Sequence, residues 1–189
     1  ENKLLQFDKI FISSCDSHGP RRTSSKNELL SAYKNFYSSI ESRSRPPHIN
    51  FKDNSRDNDA TSNLWVFGKN NKLSQKIKAQ LSQYEVKVNE QGVTLDGRSF
   101  KWRNNSFVFA LSHHNSYNKQ IVWLVAPSKK SIPGLIRKLP HYGKYGYLVF
   151  KGNEPKNVIK GTWPSSRVGL EHIFIKGTYP LFPKAPLIK

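Results

Sequence analysis

Four residues of types used in hydrolase active sites, Cys15, Asp16, Ser17 and His18, are consecutive in the sequence. A catalytic triad requires its nucleophile, base and orienting acid to converge in space, whereas neighbouring side chains on an extended loop diverge. The G-x-S-x-G sequence of a nucleophile elbow is also absent from the chain. We therefore predict no catalytic residue, and we interpret these four residues as part of a loop that follows a strand.

Histidine is the residue type that would ligate zinc here, because Cys15 is the only cysteine. His113 and His114 are adjacent, so they point apart on a strand or loop, and the chain has no H-E-x-x-H sequence. The other histidines are isolated from one another: His18, His48, His141 and His172. We predict no metal site, and the single cysteine excludes a disulfide within the chain.

A nucleotide cofactor would need a glycine-rich loop after a strand, and the segment 68–72 reads G-K-N-N-K. It matches neither G-x-G-x-x-G nor the P-loop sequence, so we predict no cofactor. Lys69 and Lys72 near a helix N terminus can still attract a phosphate or sulfate group. The alternative interpretation is an ordinary strand-to-helix turn with solvated lysines.

Positive charge dominates the second two-thirds of the chain. The net charge is +18, and residues 61–189 carry 21 basic and 5 acidic side chains, against 10 and 8 in residues 1–60. Such a field attracts nucleic acid, acidic polysaccharide or anionic lipid. Basic residues also alternate with aromatic ones, which suits contact with phosphates beside stacked bases or sugars. Strands that bury aromatic side chains on one face and solvate charges on the other produce the same pattern.

We predict polyanion contacts at ten positions in this part of the chain. They are Lys69, Lys72, Lys76, Arg98, Lys101, Trp102, Arg103, Lys144, Trp163 and Arg167. Binding through them should weaken steeply as salt is added, because it depends on the release of counterions.

The element that organises the chain is a strand, a glycine turn and a helix over residues 63–84. The apolar run 64–67 ends at Gly68, and Leu73, Ile77 and Leu81 then recur at helical spacing. Nearer the N terminus, Ser25 and Glu28 have the spacing of a capping box. They predict the start of an amphipathic helix with one apolar stripe, formed by Leu29, Tyr33, Phe36, Tyr37 and Ile40.

The remaining pattern is mainly of strands. Short strands are predicted near 10–12 and 49–51, and residues 86–111 read as a β-meander with a hairpin turn at Asp96-Gly97. Residues 112–120 are predicted to be a polar loop before the central strand 121–126. The later elements are a short helix after Ser131, strands at 145–150 and 158–159, and a strand at 172–176.

We predict one α/β domain over residues 1–189, built as a three-layer sandwich around a six-stranded, mixed and mainly parallel sheet with the meander inserted. A mobile polar loop is expected at about 43–60, and an extended proline-rich tail at about 152–189. The longest apolar run, 121–126, is far shorter than the roughly 20 residues that span a bilayer, so no transmembrane segment is predicted.

The run N-L-W-V-F-G at 63–68, the helix after it and the segment G-V-T-L-D-G-R-S-F at 92–100 resemble a known kind of domain. It is the non-catalytic α/β domain appended to bacterial exported peptidases of the prolyl-oligopeptidase-like and related classes. The resemblance covers about residues 63–152. The loop 112–120 lacks the prolines associated with that family, and the positive charge is unusual for it.

The resemblance implies an accessory or substrate-gating role beside a catalytic domain of a parent hydrolase, an extracytoplasmic location, and no catalytic activity of the domain itself. The chain begins at Glu1 and contains no methionine, which we interpret as a processed form or a piece of a longer polypeptide. The alternative function is a stand-alone basic module that binds nucleic acid or another polyanion. A small hydrolase using Cys15 or a histidine is the third hypothesis.

Overall fold

The computed structural model describes residues 9–12, 23–41, 50–52, 63–69, 72–113 and 116–164. Within these ranges the chain forms ten strands and three α-helices. The strands are β1 (Lys9–Ile12), β2 (Asn50–Lys52), β3 (Leu64–Phe67), β4 (Lys87–Val88), β5 (Gly92–Leu95), β6 (Arg98–Lys101), β7 (Asn105–His113), β8 (Ser116–Val125), β9 (Tyr147–Lys151) and β10 (Lys156–Gly161). The helices are α1 (Thr23–Glu41), α2 (Lys72–Ser82) and α3 (Ile132–Lys138).

Seven of the described strands form one mixed sheet, in the order β10-β9-β7-β8-β3-β1-β2. The pairs from β8 to β2 are parallel, and the pairs from β8 to β10 are antiparallel. The prediction of an α/β protein with a mixed sheet is confirmed. The prediction of six strands, mainly parallel, is wrong, because seven of the described strands form the sheet and antiparallel pairs equal parallel ones.

Successive side chains of the central strands point to opposite faces of this sheet, where they form two apolar clusters. On one face Trp65 and Phe67 pack with Tyr33 and Phe36 of α1 and with Leu135 of α3. The Tyr33 hydroxyl accepts a hydrogen bond from the backbone N–H of Ala126 at 3.0 Å, and burial raises the pKa of Tyr33. The strands are apolar on both faces because helices cover both of them.

On the other face, Leu64, Val66 and Trp123 pack with the apolar side of α2, as the spacing of Leu73, Ile77 and Leu81 predicts. Strands β1 and β3 are therefore parallel neighbours whose following helices lie on opposite faces of the sheet.

The meander is the part of the sequence pattern that the structure corrects. Strands β4, β5 and β6 form a separate three-stranded antiparallel sheet, joined at the predicted turn of Asp96 and Gly97. Residues 107–111 belong instead to β7 of the main sheet, where they pair with β8 and β9. Val93 and Leu95, at alternate positions of β5, both point inward. The small sheet therefore packs against the α2 side of the main sheet.

Two further predictions differ from the structure. Residues 112–120 are not a polar loop, because β7 runs to His113 and β8 begins at Ser116. Helix α1 begins at Thr23, so Ser25 and Glu28 lie inside its first turns and not at a cap. The short strand predicted near 49–51 is confirmed as β2, and the rest of the predicted loop 43–60 lies outside the described residues, as does the predicted strand 172–176.

Candidate polyanion-binding surfaces

The outward face of the small sheet carries two lysines and two hydroxyls. Thr94 of β5 pairs with Lys87 of β4 on one side and with Ser99 of β6 on the other, so these three side chains form one cross-strand row. Lys101 lies two residues beyond Ser99 and therefore on the same face. Lys87, Ser99 and Lys101 are exposed. We call Lys87, Thr94, Ser99 and Lys101 the hairpin surface.

Hydrogen bonds fix the shape of the hairpin surface. The hydroxyls of Thr94 and Ser99 lie 2.9 Å apart and bond to each other. At the turn, Asp96 has a φ of 50° and Gly97 a φ of 71°, as a tight two-residue hairpin requires. The Tyr147 hydroxyl of β9 donates a hydrogen bond to Asp96 Oδ2 at 3.3 Å, which ties the turn to the main sheet. Burial raises the pKa of Tyr147, and the neighbouring Asp96 carboxylate adds to the rise.

Lys69 lies beside the small sheet, and two contacts fix its side chain. Its Nζ donates a hydrogen bond to the carbonyl oxygen of Glu90 at 2.9 Å and lies 5.8 Å from the centre of the Trp102 ring. Gly68, just before it, has a φ of 90° and accepts a hydrogen bond from the Trp123 indole at 2.7 Å. The predicted glycine turn is therefore present, and its lysine joins the strand-to-helix turn to the small sheet.

Of the two predicted tryptophans, Trp102 is buried in the protein and Trp163 is half-buried. Trp102 is 8% exposed, and its indole N–H donates to the Asn89 carbonyl at 2.8 Å. The Trp163 indole N–H donates to the Ala110 carbonyl at 2.6 Å, and the ring stacks on Tyr84 at 4.6 Å between centroids. The Trp102 ring packs against protein side chains, so its contribution to a ligand is to hold Lys69 in place.

The other predicted residues fall into three groups. Arg98 and Arg103 are exposed beside the hairpin surface, and Lys76 is exposed on α2, which packs on the same side of the main sheet. Lys72 is the first residue of α2, and its side chain lies outside what the structure describes. Arg167 also lies outside the described residues.

Lys144 lies on the opposite face of the main sheet, in a second cluster. Its Nζ is 5.4 Å from the centre of the Tyr145 ring, and Lys160 Nζ is 5.1 Å from the same ring centre and 5.9 Å from that of Tyr142. Both tyrosines pack against the apolar cluster that contains α1 and α3. We call Tyr142, Lys144, Tyr145 and Lys160 the tyrosine–lysine cluster. Sequence reasoning omitted Lys160 from the predicted contacts, and its only signal was its place in a basic and aromatic stretch.

The residues considered for hydrolysis and metal binding do not form a site in the described part of the chain. Cys15, Asp16, Ser17 and His18 lie outside it. His113 is 4% exposed at the end of β7, and no group of three or more metal-ligating side chains is found among the described residues.

No protein-family model matches this chain, and no curated protein is significantly similar to it. The resemblance to peptidase accessory domains therefore stays a prediction. In the part of the chain that the structure describes, no helix is both long and apolar enough to cross a membrane.

Proposed function

We propose that this chain is a non-catalytic module that binds a polyanion across the hairpin surface. The observation that carries the proposal is the exposure of Lys87 and Lys101 on one fixed face of the small sheet, with the hydroxyls of Thr94 and Ser99 between them. Ammonium and hydroxyl groups are the side-chain donors that contact phosphate and sulfate oxygens.

The electrostatic setting supports this proposal. No residue of β4, β5 or β6 is acidic, and the carboxylate of Asp96 at the turn already accepts a hydrogen bond from Tyr147. Arg98, at the start of β6, and Arg103, two residues after its end, are exposed and add positive charge nearby. Because Trp102, the tryptophan next to Lys101, is buried, we expect contacts with the charged backbone of the polymer and little preference among bases or sugars.

The test is fluorescence-polarisation binding of a short single-stranded DNA, an RNA and heparin over a salt series. The test variant is Lys87→Gln with Lys101→Gln. The matched control is Lys34→Gln with Lys130→Gln, which removes the same charge from exposed positions beside the α1 face. Lys69 is left unchanged, because its contacts with Glu90 and Trp102 support the fold.

We expect the test variant to bind at least tenfold more weakly than the control at about 0.1 M salt. The slope of log affinity against log salt should fall by about 1.4 for single strands, since each lost phosphate contact removes about 0.7. Equal losses in both variants would mean that net charge, and not this face, causes binding, and the proposal would be wrong. Heparin and nucleic acid are compared to identify the polymer.

We also propose, from the resemblance, that the module is an accessory domain of a larger exported hydrolase, which packs on the catalytic domain or presents substrate to it. Determining the reading frame that encodes the chain tests this idea. A hydrolase domain in the same frame would support it, and an intact frame for these residues alone with its own start would contradict it.

A finer feature of the architecture belongs to the same proposal. The three-layer sandwich is supported by the apolar clusters on the two faces of the main sheet. For the predicted tail, the described part beyond Gly152 includes the strand β10, and the proline-rich remainder lies outside the described residues.

A further inference from the structure

The tyrosine–lysine cluster brings two ammonium groups to one aromatic ring. Lys144 and Lys160 come from different elements, the turn before β9 and the strand β10, yet both lie over the Tyr145 ring, at 5.4 and 5.1 Å from its centre. Both lysines are exposed, whereas the tyrosines are half-buried. The ring attracts each cation, but the two cations repel each other.

The backbone beneath the cluster is firmly bonded. The Gly146 N–H donates to the Gly161 carbonyl at 2.8 Å, and the Gly146 carbonyl accepts a hydrogen bond from Ala110 at 2.7 Å. Tyr142 packs edge-on against Phe150 of the main sheet, with 5.4 Å between ring centres. These contacts fix the positions of both rings, and therefore the positions over which the ammonium groups lie.

No carboxylate of the described residues forms an ion pair with these lysines. The nearest acidic residue in sequence, Glu154, is bonded to Arg137 of α3 at 3.2 Å. The cluster therefore places two ammonium groups within 5.4 Å of one ring centre, and neither is paired with a carboxylate of the described residues. A compact ligand with two negative charges would remove the repulsion between the ammonium groups and match their charge.

We propose that the tyrosine–lysine cluster is a binding site for a dianionic tetrahedral oxyanion group, such as a phosphate monoester. The ammonium groups of Lys144 and Lys160 bind its oxygens, and the tyrosine rings hold both lysines in place. A phosphodiester carries one charge per group and matches the pair less well. The site is separate from the hairpin surface, since the two lie on opposite faces of the main sheet.

The experiment is a titration of the ¹⁵N-labelled full chain with inorganic phosphate, at constant ionic strength set with sodium chloride and at pH values from 5.5 to 8. We expect saturable amide shifts at residues 142–146 and 158–161. The affinity should rise with pH as the dianion forms, because the second phosphate pKa lies within this range. Sulfate, which is dianionic throughout, is the second arm and should bind without this rise.

Variants locate the site. Lys144→Gln and Lys160→Gln should each weaken phosphate binding at least tenfold, and Lys144→Arg with Lys160→Arg should retain it. Lys34→Gln with Lys130→Gln is the control for charge alone and should leave binding unchanged. The amide spectrum of each variant shows whether it is folded.

Shifts that do not saturate, that chloride reproduces at equal ionic strength, or that persist in the folded glutamine variants would overturn the proposal. Failure here leaves the hairpin-surface proposal intact, because its test uses different lysines and polymeric ligands.

Discussion

Ser106 and Ser131 are both serines of the core, but they differ in hydrogen bonding. Both are completely buried. Ser131 Oγ donates a hydrogen bond to the Ser128 carbonyl at 2.7 Å. Ser106 Oγ has no hydrogen-bond partner among the described residues. A buried hydroxyl without a partner costs about 1–3 kcal/mol of desolvation free energy, so the two serines should respond oppositely to truncation.

We predict that Ser106→Ala raises the free energy of unfolding by about 1 kcal/mol, since it removes an unsatisfied polar group. Ser131→Ala is the matched control and should lower it by about 1 kcal/mol, because a satisfied hydrogen bond is lost. Urea unfolding followed by tryptophan fluorescence measures both changes. A Ser106 variant that is less stable than the parent chain would show that the hydroxyl has a partner.

At the scale of elements, the small sheet depends on a close approach of two strands. A Cβ atom at Gly92 of β5 would lie 2.0 Å from the carbonyl oxygen of Phe100 in β6, which is backbone and cannot rotate away. Gly92 is buried, so an added methyl group cannot relieve the clash by moving toward solvent. The hairpin surface therefore exists only if residue 92 has no side chain.

We predict that Gly92→Ala lowers the free energy of unfolding by about 3 kcal/mol and disrupts the small sheet. Gly97→Ala is the control in the same hairpin. A Cβ there meets nothing within 4 Å, and only its φ of 71° adds strain, so we expect a loss of about 1 kcal/mol. Denaturant unfolding gives the stabilities, and amide spectra show whether β4 to β6 still pair. Equal losses in the two variants would contradict this explanation.

Over the whole molecule, the net charge of +18 makes the folded state repel itself. Two ion pairs of the described residues are Lys129 with Glu28 at 2.8 Å and Arg137 with Glu154 at 3.2 Å, both at exposed positions. Exposed pairs of this kind contribute less than about 1 kcal/mol each. Screening by salt should therefore stabilise the fold more than it weakens these pairs.

We predict that the melting temperature rises by several degrees as sodium chloride increases from about 0.02 to 0.3 M, since the Debye length falls from above 20 Å to below 6 Å over this range. Lys34→Glu with Lys130→Glu lowers the charge by four and should show a smaller rise. Differential scanning calorimetry measures both. A melting temperature that falls with salt in the parent chain would mean that attractive pairs outweigh the repulsion.

Local pattern was sufficient for most elements of this protein. The strands β3 and β5, the helix α2 and the Asp96-Gly97 turn are each specified by neighbouring residues, because the exchange of apolar and polar side chains records which face meets water. The positive charge, and so the expectation of a polyanionic ligand, is likewise a property of the sequence alone.

Tertiary structure decided what those elements do together. The alternation of aromatic and basic residues predicts that Trp102 lies on a stacking surface, but the fold places it in the core. Its ring packs on Phe107 and Trp123, which belong to strands that pair only in the folded chain. The fold also places Lys144 and Lys101 on different surfaces. Because β10 pairs with β9, Lys160 reaches the same tyrosine ring as Lys144. Sequence determines what each segment becomes, whereas the pairing of distant segments decides which charges share a surface.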